Sequence, residues 1–177
     1  MALPYAILAV LTQRPYSGYD LAKCFDSTVG FIWSASHQQI YRELTKLAAQ
    51  HYVRSEPIPQ EGRPNKKLYS ITAAGQAALQ AWVLEPSPAH PLRDELLIKL
   101  FSGSLVPKDA IVTALKQRYR QHRISLEAYQ TRAQRYSLNP VALSDAEKLK
   151  YATIRAGIHY EMAKLSWCEE TIRLLIG

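Results

Sequence analysis

Apolar residues recur at helical spacing at the start of the chain. Leu3, Ile7, Val10 and Leu11 fall on one face of a short helix, and Pro15 cannot continue it. The same segment stops far short of a membrane span and lacks the basic start of a signal peptide. We therefore interpret it as a core helix and expect no membrane anchor.

Two more helices are marked by their first residues. Ser17 and Asp20 have the spacing of a capping box, in which the serine hydroxyl accepts from the aspartate amide and the carboxylate reaches back. This helix is expected to continue towards a stop at Gly30. A third helix is expected to begin at Ser34 or Ser36 and to end near residue 50.

The third helix has two faces of different character. Its apolar stripe predicts a buried face and consists of Ile40, Leu44, Leu47 and Ala48. The opposite, polar face consists of Gln38, Gln39, Arg42, Glu43 and Lys46.

The period changes from helical to alternating after the third helix. Residues 52–58 and 66–71 alternate as strands do, and the turn-rich residues between them predict a hairpin with a basic tip. Thr72 then caps a fourth helix that includes Trp82. Three helices, a hairpin and a helix follow the order of a winged helix-turn-helix, which we assign to residues 1–84.

The second half of the chain is almost wholly helical. Residues 85–92 are rich in proline and predict a linker, and residues 93–177 are expected to form a helical, coiled-coil-like dimerisation domain. A long helix should run from Pro107 to about residue 138, and a second should begin with the capping box of Ser144 and Glu147. The fold class is thus mainly α with a small β-hairpin.

Apolar and aromatic residues form a heptad-like seam along these two helices. We expect them to contact a second copy of the chain, although an intramolecular helical hairpin under a monomer is the alternative. The predicted interface residues are Val112, Leu115, Tyr119, His122, Leu126, Tyr129, Ile158, Leu165 and Ile172.

Charge favours a polyanionic partner, because the net charge is +7 and the isoelectric point is near 9.4. Glutamine pairs well with adenine, arginine with guanine, and lysines in a wing neutralise phosphates. We therefore expect the third helix and the hairpin to bind double-stranded DNA. The predicted contacts are Ser36, Gln38, Gln39, Tyr41, Arg42, Lys46, Arg63, Lys66 and Lys67.

Other functional classes have little support in the sequence. The five histidines show no metal-ligand spacing, and no phosphate-binding or nucleophile motif is present, so we expect no catalytic residue, metal or cofactor. Cys24 and Cys168 are far apart, which favours a reducing cytoplasm over a disulfide framework. A winged helix that contacts protein instead of DNA is the alternative, although such a wing should be less basic.

The motifs around the second and third helices resemble the PadR family of transcriptional regulators. The resemblance rests on residues 17–21, 31–44 and 67–75, and the form of residues 33–44 is most similar to the AphA-like branch of virulence regulators. It implies a homodimer on a near-palindromic operator, with Tyr41 and the wing cations on the DNA backbone. By analogy with members that bind small aromatic acids, it also implies a possible effector pocket near Trp33 and His37.

Overall fold

A computed structural model describes residues 2–25, 33–59, 66–87, 93–137 and 142–177. The chain divides into two compact units, Met1–Ala89 and His90–Gly177. The expected linker, residues 85–92, spans the point of division. No helix in the described ranges is long and apolar enough to cross a membrane.

The first unit is built from four helices and a small sheet. The helices are α1 (Leu3–Leu11), α2 (Gly18–Cys24), α3 (His37–Ala49) and α4 (Ala73–Leu84). Its core brings together the apolar faces that helical spacing predicted on α1 and α3, and Ile7, Leu21, Ile40 and Leu44 are fully buried there. The Tyr5 and Trp82 rings stack with centroids 4.6 Å apart, which packs α4 against α1.

The sheet has one strand more than the hairpin predicted from alternation. Strands β2 (Val53–Ile58) and β3 (Lys66–Ile71) pair antiparallel, which confirms the hairpin. A two-residue strand, β1 (Tyr16–Ser17), pairs with the other edge of β3, so the strand order is β1-β3-β2. The sheet therefore joins the segment before α2 directly to the wing.

The end of α3 and the start of α4 meet at one backbone segment. Helix α3 ends in a Schellman motif, in which the Tyr52 amide donates to the Leu47 carbonyl at 2.9 Å and the His51 amide donates to the Ala48 carbonyl at 3.0 Å. His51 has a φ of 58°, the left-handed conformation that glycine usually supplies. The Thr72 hydroxyl accepts from the Gly75 amide at 3.1 Å, as predicted for a helix cap.

The second unit contains α5 (Glu95–Phe101), a 3₁₀ turn (Gly103–Leu105), and the long helices α6 (Lys108–Ser137) and α7 (Asp145–Ile176). The sequence predicted α6 and α7 closely, and the capping box of Ser144 and Glu147 is present at the start of α7. Gly30, expected to end the second helix, lies outside the described residues.

Helices α6 and α7 form an antiparallel pair within one chain. The Tyr136 and Tyr151 rings stack at 5.7 Å near the connection, and farther along the Tyr129 ring lies directly against Gly157. His122 Nδ1 and Glu161 Oε2 are 2.5 Å apart across the pair. The intramolecular hairpin, kept as an alternative for the seam, is therefore part of this fold.

This pairing buries some of the predicted dimer-interface residues within a single chain. Their side chains divide into two groups according to what the chain itself buries. Val112, Leu115, Tyr129 and Ile158 are buried and His122 nearly so, and these five hold the hairpin together. The remaining four, Tyr119, Leu126, Leu165 and Ile172, keep part of their surface exposed.

A cluster of charges ties α5 to the long helices. Asp94 caps α5 by accepting from the Leu96 amide at 3.0 Å, and it forms ion pairs with Arg118 at 3.4 Å and Lys164 at 3.6 Å. Burial alone would raise the pKa of Asp94, but the Leu96 amide and the two cations hold it below its ordinary value of 3.8. The carboxylate is therefore charged at neutral pH.

Candidate nucleic-acid interface

The polar face of α3 is exposed along most of its length. Gln38, Tyr41, Arg42 and Lys46 are all solvent-accessible, while the opposite stripe is buried in the core. A single helix can place such a row of side chains on base edges in the major groove. The geometry thus leaves these four residues available to a duplex.

Two of the predicted DNA contacts cap the helix instead of standing free. The Ser36 hydroxyl accepts from the Gln39 amide at 3.3 Å, and Gln39 Oε1 accepts from the Ser36 amide at 2.8 Å. This capping box starts α3. Because the capping bond already uses one lone pair of Gln39 Oε1, it fixes the side chain at the first turn and limits its freedom to form a two-bonded contact to adenine.

The expected place of Glu43 on the exposed polar face was wrong. Glu43 is buried, with 7% of its surface exposed, because it borders the apolar stripe. Its carboxylate accepts a hydrogen bond from Lys46 Nζ at 2.8 Å, one turn further along the helix. Lys46 is therefore partly neutralised, and half of its side chain remains exposed.

Tyr41 connects α3 to the start of α2. Its ring packs directly against Gly18, so closely that a Cβ there would overlap the ring. The ring still keeps 45% of its surface exposed. Burial, and to a smaller extent Tyr41, raise the pKa of the Tyr69 hydroxyl on β3, so Tyr69 stays neutral near pH 7.

An ion pair lies between the wing and α2. Lys66 Nζ lies 2.7 Å from Asp20 Oδ2, and the side chains are 36% and 44% exposed. The Asp20 carboxylate was expected to reach the backbone in a capping box, but it accepts from the Ser17 hydroxyl at 2.7 Å. Lys67 is exposed, and Arg63 lies outside the described residues.

The described surface has a groove in the helical unit that is large enough for a small molecule. Trp33 and His37, the residues expected near an effector pocket, are both exposed beside the start of α3. In the second unit, α6 and α7 border an open groove of about 450 Å³. Its lining consists of Lys116, Arg120, Arg123, Arg173, Glu169, Tyr119 and Ile172. No group of three metal-ligating side chains occurs in the described part of the chain.

The sequence contained signals for most of the missed contacts. Ser36 and Gln39 have the serine-to-glutamine spacing of a capping box, and Glu43 precedes Lys46 by one turn beside the buried stripe. The pairing of Asp20 with Lys66 had no such signal, because 46 residues separate them.

A helix-turn-helix with a three-stranded sheet and a lysine-bearing hairpin defines a winged-helix protein. Comparison with known proteins agrees: the pattern of the transcriptional regulator PadR-like family matches residues 7–81, and that of the virulence activator alpha C-terminal region matches residues 92–175. The chain belongs to the PadR-like family of transcriptional regulators.

Similarity extends over whole chains. The Mycobacterium tuberculosis protein named probable transcriptional regulator Rv1176c is 36% identical, covering 99% of this chain and 98% of its own. The structure of the Vibrio cholerae virulence activator AphA is 34% identical with a TM-score of 0.77, covering 98% and 97%.

Bacillus subtilis PadR, solved in complex with operator DNA, is 25% identical with a TM-score of 0.82 and covers 99% of each chain. The same protein has also been solved with p-coumaric acid, at 25% identity and a TM-score of 0.78 with full coverage of both chains.

Proposed function

We propose that this chain regulates transcription by binding a near-palindromic operator as a homodimer, with α3 in the major groove and the wing beside it. The observation that carries the proposal is the exposed row of Gln38, Tyr41, Arg42 and Lys46, which continues through α2 to Lys66. The PadR complex with operator DNA supports it by similarity. Such a regulator acts by binding and not by catalysis, in the cytoplasm where bacterial DNA lies.

Within this surface we assign different tasks to different residues. Arg42 and Gln38 are proposed to read base edges, whereas Tyr41, Lys46 and Lys67 are proposed to contact phosphates. Ser36 and Gln39 shape the first turn of the helix. Arg63 retains its sequence-based assignment as a wing contact.

Binding to the chain's own upstream DNA tests this function. A labelled upstream duplex should be shifted by the full-length protein, and affinity should fall steeply between about 50 and 200 mM salt. Lys67→Ala should weaken binding, while Lys150→Ala, which removes the same charge from an exposed position in the helical unit, should not. A parent that shifts no duplex would favour the alternative, a winged helix that contacts protein, whereas equal binding by parent and Lys67→Ala would contradict the wing assignment.

We further propose that the helical unit forms the dimer. Besides the partly buried Tyr119, Leu126, Leu165 and Ile172, the unit leaves apolar side chains on α5 and the 3₁₀ turn uncovered: Phe101 is 93% and Leu105 is 83% exposed. Exposed apolar residues clustered on short elements mark interaction surfaces, and a second copy fits a regulator with a two-fold operator.

Light scattering after size-exclusion chromatography tests the dimer. The parent should elute at twice the mass of the chain, and Phe101→Ser should shift it towards the monomer. Val83→Ser, at an exposed apolar position in the first unit, is the matched control and should leave the mass unchanged. A monomeric parent would refute the dimer.

A small aromatic acid is the proposed effector, supported by the PadR structure with p-coumaric acid. Trp33 and His37 are the sequence-based candidates for its site. The groove on α6 and α7 is the second candidate, because its four cations outnumber Glu169 and suit a carboxylate. Calorimetry with p-coumarate should show binding that either His37→Ala or Arg120→Ala removes. No heat with the parent would refute this effector class.

A further inference from the structure

We propose that Asp20 restrains the DNA-binding surface: its carboxylate occupies the Lys66 ammonium and so lowers affinity for duplexes of any sequence. The proposal rests on the DNA-binding function above and assigns to a residue of α2 a role in setting the overall affinity for DNA. It also gives Lys66 and Lys67 different roles, although the sequence predicts both as wing contacts to DNA.

The Asp20 carboxylate is held by two partners. Asp20 Oδ2 lies 2.7 Å from Lys66 Nζ and accepts from the Ser17 hydroxyl at the same distance. Ser17 itself is buried, and its oxygen also accepts from the Asp20 amide at 3.0 Å. Hydrogen bonds from Lys66 and then Ser17 lower the pKa of Asp20 below its ordinary value, so the carboxylate is charged whenever DNA is bound near neutral pH.

The pair lies between the two elements proposed to contact DNA. Gly18, two residues before Asp20, packs against the Tyr41 ring of α3. Leu68, two residues after Lys66, pairs with Ser17 in the sheet. The negative charge is therefore embedded in the surface formed by α3, the start of α2 and the base of the wing.

An anionic group at this position opposes binding in two ways. It neutralises a lysine that could otherwise release a counterion from a phosphate, and it repels phosphates within the Debye length of about 8 Å at physiological salt. An ion pair this exposed contributes little to stability, so holding the fold together does not explain it. Because the loss comes from phosphate contacts, it lowers the affinity for every duplex by about the same factor and leaves the ratio of specific to non-specific binding unchanged.

A double-mutant cycle measures the effect. The variants are Asp20→Asn, which keeps the size and polarity of the side chain, Lys66→Met, and the combination of both. Glu85→Gln is the control, since it removes the same charge from an exposed position at the end of α4. Each full-length protein is titrated with an operator duplex and an unrelated duplex between about 50 and 200 mM salt.

Asp20→Asn should tighten binding to both duplexes by about three- to tenfold and should steepen the salt slope by about 0.9, the contribution of one further phosphate contact. Lys66→Met should change the affinity of the parent less than about twofold, yet it should remove most of the gain in the Asp20→Asn background, leaving only the part that comes from repulsion of phosphates by the carboxylate. Glu85→Gln should leave both affinities near those of the parent.

Several outcomes overturn the proposal. Weaker or unchanged binding by Asp20→Asn does so, as does an equal gain with Glu85→Gln, which would be an effect of net charge. If Asp20→Asn fails to fold by circular dichroism, Lys66→Met decides alone: a clear loss of affinity with a shallower salt slope would make Lys66 a phosphate contact in the parent. A parent that binds no duplex refutes the DNA-binding function itself, whereas a parent that binds with an unresponsive Asp20→Asn refutes only the restraint.

Discussion

His122 and Glu161 meet across the two long helices, with Nδ1 and Oε2 2.5 Å apart and only 12% and 10% of the side chains exposed. The other ring nitrogen of His122 is buried and has no hydrogen-bond partner among the described residues. The pair is thus a polar contact inside an otherwise apolar seam.

Removing one member of this buried pair should destabilise the helical unit more than breaking an exposed ion pair does. Glu161→Ala should lower the free energy of unfolding by roughly 1–3 kcal/mol, because the His122 ring would lose this hydrogen bond in a buried site. Glu127→Ala, which breaks the exposed pair with Arg123 on the same helix, should have little effect. Urea unfolding of both variants provides the comparison, and equal losses would count against the buried pair.

The charge on Asp94 should make stability depend on pH in a defined direction. Because its pKa in the folded protein is lowered, Asp94 stabilises the fold above its ordinary pKa of 3.8, and this contribution disappears as the pH falls through the lowered value. Asp94→Asn keeps the helix cap and removes the charge. It should cost about 1 kcal/mol at neutral pH.

Thermal unfolding at several pH values checks this. The parent should be more stable than Asp94→Asn near neutral pH, and the two melting curves should converge in acid below the ordinary pKa. A difference that persists unchanged into acid would mean that packing, not charge, distinguishes the two proteins.

Gly75 should not tolerate a side chain. An added Cβ would overlap the Tyr52 carbonyl, which is backbone and is held by the Thr72 amide. Gly75→Ala should therefore destabilise the first unit by roughly 1–3 kcal/mol, despite the better helix propensity of alanine. Gly103→Ala is the control, because its Cβ would meet only the Ile111 side chain at 3.4 Å. Chemical denaturation distinguishes them.

His51 should be improved by glycine. Its left-handed backbone strains any residue with a Cβ, so His51→Gly should raise the free energy of unfolding by about 0.5–1 kcal/mol. A glycine one residue earlier, Gln50→Gly, should lower the free energy of unfolding, since the φ of Gln50 is −83° and suits ordinary residues. Loss of stability in His51→Gly would show that the imidazole contributes more than the strain costs.

Arg42 and Lys67 should differ in the kind of DNA binding they support. Arg42→Ala should relax discrimination at one operator position, at a cost of about 1–3 kcal/mol for the preferred base. Lys67→Ala should weaken all duplexes alike and reduce the salt slope by about one contact. A panel of single-base operator variants measures both, and identical profiles would contradict the assignment of Arg42 to a base edge.

The sequence predicted the elements that depend on local spacing. The apolar period of α3, the alternation of the hairpin and the caps at Ser144 and Thr72 are all short-range signals, and the structure confirms them. The strand of Tyr16 and Ser17 was missed because two residues carry no period of their own. Its existence depends on β3, about fifty residues later.

The candidate surface was predicted in outline but not in its charge balance. Exposure along α3 follows from helical periodicity, so Gln38 and Arg42 could be placed correctly. Whether a charged side chain is free depends on which distant residue lies beside it, and Lys66 shows this most clearly. The seam residues show the same limit, since a heptad pattern does not tell whether a helix packs on its own chain or on another.

The short strand β1 places a mechanical constraint on the molecule. Ser17 starts α2 and also pairs with Leu68. The connection between α1 and α2 is therefore hydrogen-bonded to the wing in one ladder. Adding or deleting a residue in that connection would slide the ladder and tilt the hairpin against the helix beside it. In the proposed complex, the distance between the groove contacts of α3 and the backbone contacts of the wing therefore depends partly on the length of the connection between α1 and α2.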